Sequence, residues 1–147
     1  MATGGRQAGE WHTGKRYGRN INGDLNNHLE AWIDWNLVLN EEGGPNHVWN
    51  YCDAPVIVDT KKDEVHYNSS YYYIGHFSKF IKPGARRIGS QTLSNRIFAT
   101  AFENINGETV AVLMNGNDRE EEVSISLGGK SMMLVLPQHS IATVIIH

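Results

Sequence analysis

The chain has 147 residues, 40% hydrophobic and 20% charged, and 13 Lys and Arg against 16 Asp and Glu leave a net charge of −3. That length suits one domain, or a small domain plus part of another, and the charge balance supplies no basic field for nucleic acid. The single cysteine excludes a disulfide framework and a four-thiolate zinc site, no apolar run reaches the ~20 residues that cross a bilayer, and a complete (β/α)8 barrel needs about 200 residues or more.

Residues 1–18 hold five of the 15 glycines and few large aliphatics, and read as a loop or frayed end. Residues 1–9 carry no apolar stretch of the kind a secretory signal needs. From residue 20 to 30, Ile21, Leu25 and Leu29 recur every fourth position, which predicts a short amphipathic helix weakened by Gly23. Residues 32–39 are dense in apolar and aromatic side chains and predict a strand buried on both faces, as in a parallel sheet. Residues 40–52 read as a loop around Gly43-Gly44-Pro45-Asn46. Short strands are predicted at 55–59 and 64–67. A second helix is predicted at 70–81, capped by Ser69 or Ser70 and stopped by Pro83-Gly84.

Beyond Gly84 the period changes to two. Strands are predicted at 97–102, 110–114, 123–127, 132–136 and 141–146. Turn signals separate them at Asn106-Gly107, Asn115-Gly116, Gly128-Gly129 and Pro137-Gln138. Such spacing predicts an antiparallel sandwich or barrel. Residues 1–83 thus read as the tail of an α/β domain and 84–147 as a small β-sandwich. A strand buried on both faces needs neighbours, and too few other strands surround residues 32–39 in the sequence.

Seven histidines stand at 12, 28, 47, 66, 76, 139 and 147, none closer than eight residues to another, so no metal-ligand spacing is present. Cys52 has no activating neighbour in sequence and reads as an inert thiol. Asn68-Ser69-Ser70 is a sequon, making Asn68 a candidate glycosylation acceptor in a secreted context. The informative stretch is Trp32-Ile33-Asp34-Trp35-Asn36-Leu37, where two indoles, a carboxylate and an amide crowd one strand end. Indole faces stack on the C–H faces of sugars and amides bond sugar hydroxyls. The pattern alone fits better a core pair of tryptophans beside a satisfied buried Asp34.

Ala31 to Asn40, followed by Glu42-Gly43-Gly44-Pro45-Asn46, closely resembles the glucosylceramidase group of glycoside hydrolase family 30. The likeness continues through Asp53-Ala54-Pro55-Val56-Ile57-Val58-Asp59. It resumes at Tyr72-Tyr73-Ile74-Gly75-His76-Phe77-Ser78-Lys79-Phe80-Ile81, and Trp11 and Tyr17 also fall where the family has aromatics. It is strong over residues 11–89 and rests on pattern and length beyond them.

The resemblance implies an α+β fragment: the last strand and helices of a (β/α)8 barrel in residues 1–83, then an antiparallel β-sandwich domain in 84–147. It implies retaining hydrolysis of the glucose–ceramide bond, which takes two carboxylates about 5–5.5 Å apart. In the family these are glutamates ending strands four and seven, and neither position matches this chain, so no catalytic residue and no activity of the chain alone are expected. Trp35 matches a tryptophan packing beside the bound glucose, and Asn50 a rim asparagine. Asp34 and Trp32 match structural or supporting positions. His47 and Trp49 depart from the usual tryptophan and arginine, and Asp24 from a helix asparagine, which leaves the aglycone preference open. No cofactor and no metal are implied. The expected partners are a β-glucosyl lipid and a lipid-presenting activator protein, in a lysosomal or secreted setting. The competing readings are a stand-alone, non-catalytic sandwich module that binds glycan or protein, and a pseudoenzyme that docks on a relative.

Overall fold

A computed structural model describes residues 10–147. The first element is helix α1, Trp11–Asn26, so the helix begins well before residue 20, and residues 11–18 are helical rather than loop. Gly14 and Gly18, two of the glycines that suggested a loop, serve contact instead. A Cβ on Gly14 would lie 2.5 Å from Cδ2 of Tyr73, and one on Gly18 2.6 Å from its Cδ1. At the other end, α1 stops where His28 takes a left-handed φ of 67°.

Three short strands follow. β1 (Val38–Asn40) runs parallel to β2 (Val56–Asp59), which pairs antiparallel with β3 (Glu64–Tyr67). The expected doubly buried strand at 32–39 is corrected here. Only its end is strand, and Ile33, Trp35 and Leu37 are 88%, 85% and 69% exposed. Among the described residues β1 has one neighbour, β2, so the segment before it has no ladder on which to extend.

Helix α2 is Ser69–Ser78, with Asn68 rather than a serine at its N-cap. Ser69 serves the other helix: its Oγ accepts from the Gly14 N–H at 3.0 Å and donates to the Glu10 carbonyl at 2.8 Å.

β4 (Arg86–Ile88) was not expected from the sequence. It edges a sheet of order β4-β5-β6-β9, with β5 at Ile97–Glu103, β6 at Thr109–Asn115 and β9 at Ile141–Ile146, all antiparallel. β7 (Glu121–Leu127) and β8 (Lys130–Leu136) form a separate hairpin. Its turn is Gly128-Gly129, with φ of 58° and 79°, a conformation that glycine adopts without steric cost.

β6 separates two cores. On one face Ala111 and Leu113 join Ile97, Ala101 and Leu136, with Val123, Ile125 and Leu134 of the hairpin packed on them. On the other, Val110 and Val112 meet Ile21 of α1 and Phe77 of α2. Both helices therefore pack on the sandwich sheet, each such buried aliphatic or aromatic contributing about 1.5–3 kcal/mol. Polar ties reinforce the seam. The His139 carbonyl accepts from the Trp11 indole at 3.2 Å and the Tyr73 hydroxyl at 2.9 Å. Asn104 accepts from the Lys82 N–H at 3.0 Å and donates to the Phe80 carbonyl at 3.0 Å.

The glycine contacts give an opposed pair of expectations within α1. Gly14→Ala drives a methyl into the Tyr73 ring and is expected to lower stability by about 1–3 kcal/mol. Gly23→Ala meets nothing within 4 Å and is expected to raise it by about 0.5–1 kcal/mol. Urea denaturation of the two variants reads both signs, and equal effects would contradict the helix–helix contact.

Candidate functional site

The loop after β1 is shaped by its own backbone chemistry. Asn40 Oδ1 accepts the N–H groups of Glu42 at 3.1 Å and Gly44 at 2.8 Å. Gly43 has φ 81° and lies so close to Cys52 that any side chain would strike the Cys52 carbonyl. The Cys52 N–H closes the loop on the Gly43 carbonyl at 3.0 Å. Within it the Asn50 N–H reaches Asn46 Oδ1 at 3.1 Å, which turns Asn50 back toward residues 32–36.

That turn leaves a cavity of about 660 Å³ whose walls include Trp32, Asp34, Trp35 and Asn50. The four residues singled out in the sequence are thus brought together. Trp35 presents an exposed indole. The Trp35 backbone N–H donates to Asp34 Oδ1 at 2.9 Å, and the Tyr17 phenol lies beside that carboxylate. Trp32 is half-buried and stands edge-on to the Tyr17 ring, centroids 5.6 Å apart. Asn50 is exposed at the rim. Asp34 therefore touches both the backbone that sets Trp35 and the phenol behind it.

Arg16, Tyr17 and Asn20 of α1 also line the cavity, with Asn36 and Asp53. Sequence reasoning missed Arg16 and Asn20 because the helix start was set too late. Their i, i+4 spacing would have placed both on one face of a helix beginning at Trp11. Asp53 is engaged structurally: its Oδ1 accepts from the Ala54 N–H at 3.0 Å and from Asn68 Nδ2 at 2.8 Å.

Asn68 belongs to the framework as well. It is 5% exposed, and its Nδ2 also donates to the Ala54 carbonyl at 2.7 Å. A glycan would have to be attached at the nitrogen that makes both bonds. The sequon reading therefore conflicts with this packing. Trp49, at φ 58°, and Tyr51 extend from the loop with their rings 6.4 Å apart.

Burial, and then the Asp34 carboxylate, push the Tyr17 phenol up to about 12. An indole face, amides, carboxylates and a guanidinium around one opening suit a ligand with both apolar C–H faces and many hydroxyls, as a sugar has.

The family's TIM-barrel domain model matches residues 4–81 and its β-sandwich domain model residues 84–144. The chain belongs to glycosyl hydrolase family 30. It holds part of the family's TIM-barrel domain followed by the β-sandwich domain. It is 39% identical over 119 residues to lysosomal acid glucosylceramidase of Mus musculus, covering 80% of this chain and 23% of that protein. SrfJ from Salmonella typhimurium superposes with a TM-score of 0.87 at 38% identity, over 92% of this chain and 30% of that one. An endo-β1,6-glucanase superposes with a TM-score of 0.80 at 30% identity, over 94% of this chain and 34% of that one. The chain thus spans 23% to 34% of the length of these relatives.

The Tyr17 shift is testable. A phenol raised from 10.0 to about 12 stabilises the fold fully below pH 10, and that stability drains away as pH rises from 10 to 12. Ultraviolet phenolate titration is expected to show Tyr17 ionising late. Asp34→Asn should move it down only part of the way, because burial is the larger cause.

Proposed function

We propose that this chain forms the sugar-lining wall of a retaining β-glucosidase that acts on glucosylceramide or a related β-glucosyl lipid. Trp35 stacks on the glucose ring, Asn50 bonds a hydroxyl at the rim, and Asp34 holds the Trp35 backbone while Trp32 backs it. The observation that carries this reading is the gathering of Trp35, Asp34 and Asn50 around one cavity. The likeness to a mouse glucosylceramidase supports the substrate class.

On this reading the acid/base and nucleophilic glutamates lie outside residues 1–147. The two aspartates of the cavity are poor substitutes. Asp34 already accepts the Trp35 backbone N–H and has the Tyr17 phenol beside it, and Asp53 accepts from Ala54 and Asn68. Residues 1–83 act as the closing part of the catalytic barrel and 84–147 as its sandwich. A lipid-presenting activator protein is the partner such a lipid substrate calls for.

A second reading, a binding module without catalysis, is favoured by one feature. The helices share a core with the sandwich sheet, so the two halves pack as one unit. It calls for one sharp calorimetric transition spanning both halves.

The deciding measurement uses the purified chain and a fluorogenic β-glucoside. No turnover is expected, and clear turnover would refute the placement of the glutamates elsewhere. In parallel, glucose or an alkyl β-glucoside is expected to perturb indole fluorescence, and Trp35→Ala to abolish most of that change. A response unaltered in Trp35→Ala would remove the sugar-stacking role.

A further inference from the structure

We propose that a buried water molecule is an integral part of this fold, seated between α1 and β5 and bridging Asn22, Asn26 and Thr100. This site is independent of the functional reading above.

Asn22 is 1% exposed and Thr100 0% exposed, so both polar side chains have left solvent entirely. Asn22 Nδ2, Asn26 Oδ1 and Thr100 Oγ1 are buried with no hydrogen-bond partner within the chain. All three belong to one seam. Asn22 and Asn26 stand one turn apart on α1, with Asn26 Nδ2 donating to Asn22 Oδ1 at 3.4 Å and to the Ala99 carbonyl of β5 at 2.8 Å. Thr100 is the next residue on β5. Ile97, Ala99 and Ala101 point into the sandwich core, so the alternate positions Phe98 and Thr100 face the helices. Arg19 of α1 lying 5.3 Å over the Phe98 ring agrees with that facing.

Turning the amides over does not satisfy them. Reversing Asn22 alone sets its NH2 against the NH2 of Asn26, two donors together. Reversing Asn26 to correct this sets its oxygen against the Ala99 carbonyl, two acceptors together. The observed orientation is the one that keeps both existing bonds, and it leaves one amide donor, one amide acceptor and one hydroxyl over. A water molecule matches that remainder: it accepts from Asn22 Nδ2 and from Thr100 Oγ1 and donates to Asn26 Oδ1. Three bonds is the usual complement of a buried water. Without it each group would keep the full penalty of desolvation.

The placement has a consequence for the cavity. Arg16, Tyr17 and Asn20 line it from the same helix whose later turns carry Asn22 and Asn26. The water therefore helps set how α1 is seated on the sheet, and with it where those three side chains stand.

The test is a crystal structure of the chain that resolves ordered solvent, together with NMR cross-relaxation between the Asn22 side-chain amide protons and water. One long-lived water within hydrogen-bond distance of all three atoms is expected. A direct bond from Asn22 Nδ2 to Asn26 or Thr100, or a seam with no water, overturns the proposal. A double-mutant cycle of Asn22→Leu and Thr100→Val, read by urea denaturation, gives a second arm. The pair should cost less than the sum of the singles, whereas Thr100→Ser, which keeps the hydroxyl, should leave the coupling in place. Additive losses would count against a shared water.

Discussion

Strand β6 is buried on both faces, and the arrangement of everything else follows from that. A strand so placed must be apolar at consecutive positions, and Val110 to Met114 is. Its even-numbered side chains receive the two helices and its odd-numbered ones receive the hairpin. The part of the chain that resembles a barrel and the part that resembles a sandwich are therefore two sides of one wall. Hydrophobic burial is not directional, so the wall alone would let the helices slide. The polar ties at His139, Asn104 and Ser69 fix their position.

The cavity inherits its geometry from that wall. α1 carries Arg16 and Tyr17 to the cavity while Ile21, about a turn further on, is held on β6. Tyr17 in turn reaches Asp34, and Asp34 fixes the backbone of Trp35. The indole that would meet a sugar is thus connected to the sandwich through a short series of contacts. A change at the sheet can be felt at the cavity without touching any residue in it.

The period-two strands were legible in the sequence because alternation is a local signal, and the hairpin turn at Gly128-Gly129 was legible for the same reason. What failed was whatever depended on distant contact. Gly14 and Gly18 look like loop residues unless one knows that Tyr73 lies against them. Ser69 looks like a cap for its own helix unless one knows that Gly14 and the Glu10 carbonyl compete for it. The doubly buried strand at 32–39 was a sound reading of composition, but a strand forms only where neighbours supply a ladder, and among the described residues β1 has one. In the site, the crowding of Trp32, Asp34 and Trp35 was visible as a pattern, whereas Asn50 and the role of each residue came from a family motif. Arg16 and Asn20 were hidden by the misplaced helix start.

The carbonyl of His139 joins segments that lie far apart in the sequence. Trp11 lies 128 residues before it and Tyr73 lies 66 before it, and both donate to the same oxygen. Contacts this distant in sequence form late and slowly. During synthesis both helices would leave the ribosome long before their acceptor exists, and before β9 completes the sheet beneath them. Helix α1 would then wait, partly unpaired, until residue 139 is made. A product that stopped short of residue 139 would leave α1 without this anchor.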